Sequence, residues 1–114
     1  MTVQEMHTIE EYDQQLGTKG TVVIDFYSTQ CPPCKLIAPL YEKIANKPSN
    51  QDIRFFKVNG LEEPGSLVQK AAEVVWWPTL VVYEDGVEKW RARVPNPPTL
   101  DGIKDLERLL DEKH

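Results

Sequence analysis

Cysteine and histidine are scarce in this chain: two of each in 114 residues. Two cysteines cannot build the multi-disulfide framework of a small secreted domain. Basic residues are also outnumbered, 13 Lys and Arg against 18 Asp and Glu, for a net charge of −5. That balance argues against a general binder of nucleic acid or of anionic membranes, since phosphate-rich partners select basic surfaces. Local basic patches remain open to it, and Arg91 and Arg93 could form one. No stretch is long and apolar enough to span a bilayer. The opening MTVQEMHTIEEYDQQ has no basic segment followed by an apolar run, so no signal peptide is expected and a cytoplasmic location is. In a reducing cytosol a lone, close cysteine pair is catalytic or metal-binding more often than structural.

What is present suffices for one compact domain spanning residues 1–114, with 40% hydrophobic and 27% charged residues. There is no internal repeat, low-complexity segment or dividing linker. A short strand is expected near Val3. Thr8 and Glu11 have capping-box spacing and predict a helix over Thr8–Leu16, closed by Gly17 and Gly20. Thr21–Tyr27 is an apolar, β-branched run without clean alternation, which reads as a central strand buried on both faces. A helix is expected from about Pro33 to Asn46, kinked at Pro39.

A second strand is predicted over Ile53–Val58, then turns at Asn59-Gly60 and Pro64-Gly65, and a short helix over Ser66–Glu73. Thr79–Tyr83 reads as a strand, Asp85-Gly86 as a hairpin turn, and Val87–Val94 as an edge strand. Thr99 is expected to cap a last amphipathic helix through Leu110. Helix-linked strands run parallel by a right-handed crossover, and the hairpin adds an antiparallel edge. The expected architecture is α/β, a mixed sheet with helices on both faces.

The chemistry concentrates at Cys31-Pro32-Pro33-Cys34, which follows the buried strand and opens a helix. Two sulfurs three positions apart at a helix start can close a disulfide without large backbone movement. The upstream sulfur sits near unpaired N–H groups and the positive end of the helix dipole, and both favour the attacking thiolate. Cys31 is assigned as nucleophile and Cys34 as resolving thiol. The competing reading is half of a zinc site. It needs two more ligands, and the chain offers only His7 and His114, both near its ends. Two inert buried cysteines are a further alternative, disfavoured by the prolines and the strand-to-helix placement.

The stretch Val22–Lys35, with Pro39 beyond it, resembles the active-site region of the thioredoxin family, and Trp77–Gly86 resembles that family's cis-proline strand and following turn. Element order and length match over almost the whole chain. The resemblance implies the thioredoxin fold, a redox-active Cys31–Cys34 disulfide, no cofactor and no metal. It implies a cis bond before Pro78 that presents the Trp77 backbone to an extended substrate segment. The ordinary alternative is a trans proline opening an edge strand.

Asp25 lies within the most apolar strand, where a carboxylate must be paired, hydrated or protonated. The matching family aspartate lies behind the disulfide and moves the proton of the resolving cysteine. Lys57 on the neighbouring strand is its implied electrostatic partner. For Asp25 the plain alternative is a strand-end residue reaching solvent; for Lys57 it is a surface lysine.

The chain departs from the family pattern in several places. Pro33 stands where glycine is usual and removes one possible N–H donor to the Cys31 thiolate. Gln30 and Tyr27 stand where tryptophans are usual; Gln30 trades a flat apolar contact for a donor and an acceptor. Trp76 and Trp77 before the proline can restore an aromatic surface beside the disulfide, or one of them can fill the core. Val94-Pro95 replaces an expected glycine and implies a narrower groove wall.

Three functions fit these residues. The first is a monomeric reductase of protein disulfides, binding substrate through Gln30, Pro32, Pro33, Trp76, Trp77 and Pro78 and recharged by thioredoxin reductase or glutathione. The second is a non-enzymatic docking module using Trp76 and Trp77. The third is an iron–sulfur carrier in which Cys31 from two subunits, with or without glutathione as a further ligand, holds a cluster.

Overall fold

A computed structural model describes residues Val3–Lys113; His114 lies outside them. The elements in chain order are β1 (Val3–Glu5), α1 (Ile9–Leu16), β2 (Thr21–Tyr27), α2 (Pro32–Ala45), β3 (Arg54–Asn59), α3 (Gly65–Ala71), β4 (Thr79–Glu84), β5 (Val87–Arg93) and α4 (Asp101–Glu112), with a single 3-10 turn at Pro48–Asn50. The sheet order is β1-β3-β2-β4-β5. β2 pairs parallel with β3, β3 parallel with β1, and β4 antiparallel with both β2 and β5. None of the helices among the described residues is long and apolar enough to cross a membrane.

The unbroken apolar run of β2 follows from its central place. Alternate residues point to opposite faces. Val22, Ile24 and Phe26 pack with Tyr12 of α1 and Val68 of α3. Val23 packs on the other face with Ile37, Tyr41 and Ile44 of α2 and Ile103, Leu106 and Leu110 of α4. The sheet is thus sandwiched between two helical layers, and Asp25 projects toward the layer that holds α2.

Local chemistry sets the element ends. Thr8 accepts from the Glu11 N–H at 3.1 Å, while the Glu11 carboxylate accepts from the Thr8 N–H at 3.0 Å, completing the capping box. Asp85 and Gly86 both have positive φ, 51° and 84°, as a two-residue turn between β4 and β5 requires. α2 runs unbroken through Pro39 and starts one residue earlier than its sequence pattern suggests, at Pro32.

One expectation fails. Thr99 does not cap α4: the helix opens at Asp101, Leu100 occupies the cap position, and no side chain caps it. Leu100 packs against the core, and its carbonyl accepts the first helical bond from Lys104 N–H at 2.9 Å. Apolar anchoring, together with Asp101 at the positive end of the helix dipole, replaces the hydroxyl cap.

Candidate active site

The carboxyl end of β2 delivers the chain to Ser28, whose hydroxyl accepts from the Gln30 N–H at 3.0 Å. That local bond turns the backbone so that Cys31 becomes the cap of α2. Its sulfur accepts from the Cys34 N–H at 3.3 Å. Pro32 and Pro33 fill the first two helical positions, where a missing N–H costs no helical bond. The same prolines leave the Cys34 N–H as the backbone donor to the Cys31 sulfur. Cys31 and Cys34 are joined by a disulfide, with Cα atoms 5.3 Å apart.

The two sulfurs serve different spaces. Cys31, although only 7% exposed, lines an open groove of about 400 Å³. Gln30, Pro32 and Pro33 from the Cys31 segment line it together with Gln69, Val75, Trp76, Trp77 and Asn96. Cys34, 4% exposed, lines a separate cavity of about 230 Å³ that it shares with Asp25, Ser28, Lys35 and Lys57. Cys31 is thus open to the groove, while Cys34 adjoins the cavity that holds Asp25 and Lys57.

Asp25 is buried and its Oδ1 has no hydrogen-bond partner. Lys57 is its register partner on β3. Burial pushes the Asp25 carboxyl up to about 7, with Lys57 opposing the rise and Glu5 adding to it. Tyr41 on α2 does not satisfy Asp25, because its hydroxyl donates to the carbonyls of Phe56 at 2.7 Å and Val23 at 3.1 Å. Lys57 extends over the Tyr27 ring, 5.7 Å from its centre.

The Trp77–Pro78 peptide bond is cis, as are Glu63–Pro64 and Asn96–Pro97. Pro78 is buried, and its carbonyl accepts from the Val94 N–H at 3.0 Å. Neither indole joins the core. Trp76 is 37% exposed; its N–H donates to the Val94 carbonyl at 2.8 Å, and Arg93 lies 5.5 Å from its ring. Trp77 is half-buried, and its N–H donates to the Gln69 Oε1 at 2.6 Å. Val94 thus does more than stand in for glycine: it fastens Trp76 and Pro78 together.

Gln69, Val75, Asn96 and Gly60 are site residues that the sequence reading did not single out. Gly60 matters through space. A Cβ there would collide with the Gln69 Oε1 and lie 2.7 Å from the Trp77 indole nitrogen. Val75 carried a usable signal, a β-branched apolar residue that is 78% exposed, but exposure is invisible before folding. Among the described residues no group of three or more His, Cys, Asp and Glu side chains is arranged to hold a metal ion.

Comparison with known proteins agrees with this geometry. A family model described as Thioredoxin matches residues 3–105. Thioredoxin-2 of Saccharomyces cerevisiae is 41% identical over 96 residues, 83% of this chain and 88% of that protein. Mitochondrial thioredoxin-3 of the same yeast is 33% identical over 106 residues, 92% of this chain and 80% of that protein. The crystal structure of Malassezia sympodialis thioredoxin superposes with a TM-score of 0.82 at 28% identity, covering 98% of this chain and 93% of that one. The chain belongs to the thioredoxin family and is a thiol–disulfide oxidoreductase.

Proposed function

We propose that this chain reduces disulfides in protein substrates, with Cys31 as the attacking sulfur, Cys34 as the resolving sulfur and Asp25 as the acceptor of the Cys34 proton. The observation that carries the reading is the division of the sulfurs between two spaces, Cys31 on the open groove and Cys34 beside a buried carboxyl. In the reduced protein the Cys31 thiolate attacks one sulfur of a substrate disulfide. The substrate S–S bond breaks, a mixed disulfide forms and one substrate thiolate leaves. Cys34 then gives its proton to Asp25 and attacks Cys31. The mixed disulfide breaks, the second substrate thiolate leaves, and Cys31–Cys34 closes. Two electrons pass from the dithiol to the substrate.

Magnitudes favour Asp25 for this step. An ordinary thiol titrates near 8.5, so passing its proton to an ordinary carboxylate near 4 costs about 6 kcal/mol. A carboxylate pushed up to about 7 lowers that cost to about 2 kcal/mol. In this reading Lys57 steadies the Asp25 anion, and an extended substrate segment lies along the Trp77 backbone before Pro78. Gln30, Pro32, Pro33, Trp76 and Trp77 form its contact surface. The exposed indole of Trp76 and the amide side chains of Gln30 and Asn96 suit a peptide with both flat and polar groups beside its cysteine.

The proposed electron donor is thioredoxin reductase or glutathione. Residues 1–114 are proposed to act as one monomeric domain in the cytoplasm, where the absence of further cysteines keeps the dithiol the sole redox centre. The test is insulin reduction driven by a dithiol donor. The wild-type chain is expected to accelerate it and Cys31→Ser to abolish the acceleration; equal rates would overturn the assignment of Cys31.

A further inference from the structure

One face of the sheet carries a row of ionisable groups that the exchange chemistry uses only in part. Glu5 on β1, Lys57 on β3 and Asp25 on β2 are direct register partners across two parallel ladders. Partners in register project from the same face, and so does Tyr27, two residues beyond Asp25. The Tyr27 hydroxyl donates to both carboxylate oxygens of Glu5, at 3.0 and 3.1 Å. The Lys57 ammonium lies 5.7 Å from the centre of the same ring. Lys57 thus stands between two carboxylates, one clamped by a tyrosine and one buried without a hydrogen-bond partner on Oδ1.

The other neighbours of Asp25 do not change this balance. α2 presents Cys34 and Lys35 at the shared cavity, and Tyr41, whose hydroxyl is occupied by two backbone carbonyls. β4 presents Leu80 at the register position opposite Asp25, which carries no charge.

We propose that Glu5 is a positioning residue for the exchange reaction: held by Tyr27, its carboxylate competes with Asp25 for Lys57 and so strengthens the grip of Asp25 on the proton taken from Cys34. This rests on the role given to Asp25 above. With Asp25 protonated, the row holds one carboxylate, Glu5, at the register position next to Lys57. Ionising Asp25 adds a second negative charge to a row with one cation between them. The two carboxylates are separated by two strand spacings, about 10 Å, along a row in which Asp25 is buried and Glu5 and Lys57 are half-buried, so their repulsion is only partly screened. The Glu5 charge works in the direction of raising the Asp25 carboxyl, behind burial, which raises it most, and Lys57, which lowers it. Tyr27 is itself pushed up to about 12, by burial first and by Glu5 second, so it keeps its proton and remains a donor to Glu5 across the working range.

The experiment is a carboxyl-carbon NMR titration of Asp25 in the full oxidised chain. Glu5→Gln keeps the side-chain shape and can still accept the Tyr27 hydroxyl, so the fold is retained while the charge is lost. Its Asp25 midpoint is expected to fall by about half a pH unit or more. Glu5→Asp keeps the charge and is expected to keep the wild-type midpoint. An unmoved midpoint in Glu5→Gln overturns the proposal, and so do equal shifts in both variants, which would mark a purely steric role. The acid limb of mixed-disulfide resolution by Cys34 separates the two readings. A lowered NMR midpoint with an unmoved limb removes Asp25 as the proton acceptor. An unmoved midpoint alongside a normal limb removes Glu5 alone.

Discussion

Asp25 and Lys57 face one another in register on adjacent parallel strands, yet burial outweighs their attraction and the Asp25 carboxyl rises from 3.8 to about 7. A carboxyl held above its unfolded value binds its proton more tightly in the folded chain. Its contribution to stability is full below about pH 4 and is lost as the pH climbs through about 7. Above that, folding carries the whole cost of a buried anion. Three pH units at about 1.4 kcal/mol each set a ceiling of about 4 kcal/mol. Asp25→Asn is therefore expected to be more stable than the parent by about 2 to 4 kcal/mol at pH 8, with the gap closing toward pH 4. Urea unfolding at pH 4, 6 and 8 measures this; a gap independent of pH would contradict it.

Trp77 is tied into the groove wall by its bond to Gln69. Trp77→Ala removes a large contact face next to Cys31. For a protein substrate, KM is expected to rise about tenfold or more while kcat changes little, the pattern of a lost docking contact. Steady-state kinetics with a protein disulfide and with a small disulfide tell the two effects apart. The small substrate should be almost indifferent to the change.

Two glycines near this wall should behave differently on substitution. A Cβ at Gly60 would collide with the side-chain end of Gln69, which can swing away, and would lie 2.7 Å from the Trp77 indole nitrogen, so Trp77 loses its anchor and must also shift. Gly60→Ala should raise KM several-fold, at a smaller cost in stability than a substitution that meets backbone. A Cβ at Gly65 would instead collide with the backbone carbonyl of Asn59, which cannot move without disturbing the end of β3. Gly65→Ala is expected to cost about 1 to 3 kcal/mol. Thermal unfolding of both variants, set beside their KM values, checks the contrast.

Much of this molecule was legible in the order of its residues because the relevant forces are local. The Thr8–Glu11 box, the Asp85-Gly86 turn and the apolar run of β2 each carry their signal within a few positions. The cysteine pair is likewise a local motif whose meaning comes from a strand before it and a helix after it. Where local and distant forces compete, the reading fails: Thr99 has the right chemistry to cap a helix, but burial of Leu100 fixes the entry of α4 instead. The groove wall was only half legible. Trp76 and Trp77 announce themselves by type, but Gln69 and Asn96 come to line the same groove with no local pattern to mark them. The Glu5–Tyr27 clamp joins residues 22 positions apart and follows from strand register, which a single sequence does not specify.

In the proposed mechanism Cys31 meets the partner and Cys34 releases it. Cys34→Ser keeps the backbone N–H that caps the Cys31 sulfur and removes only the resolving thiol. The direct measurement is to mix this variant with an oxidised protein substrate, quench with acid and map the cross-link by mass spectrometry. A stable mixed disulfide through Cys31 is expected, together with none from Cys31→Ser under the same conditions. Absence of any trapped adduct from Cys34→Ser, or equal trapping through Cys34 in the Cys31→Ser chain, would contradict the account.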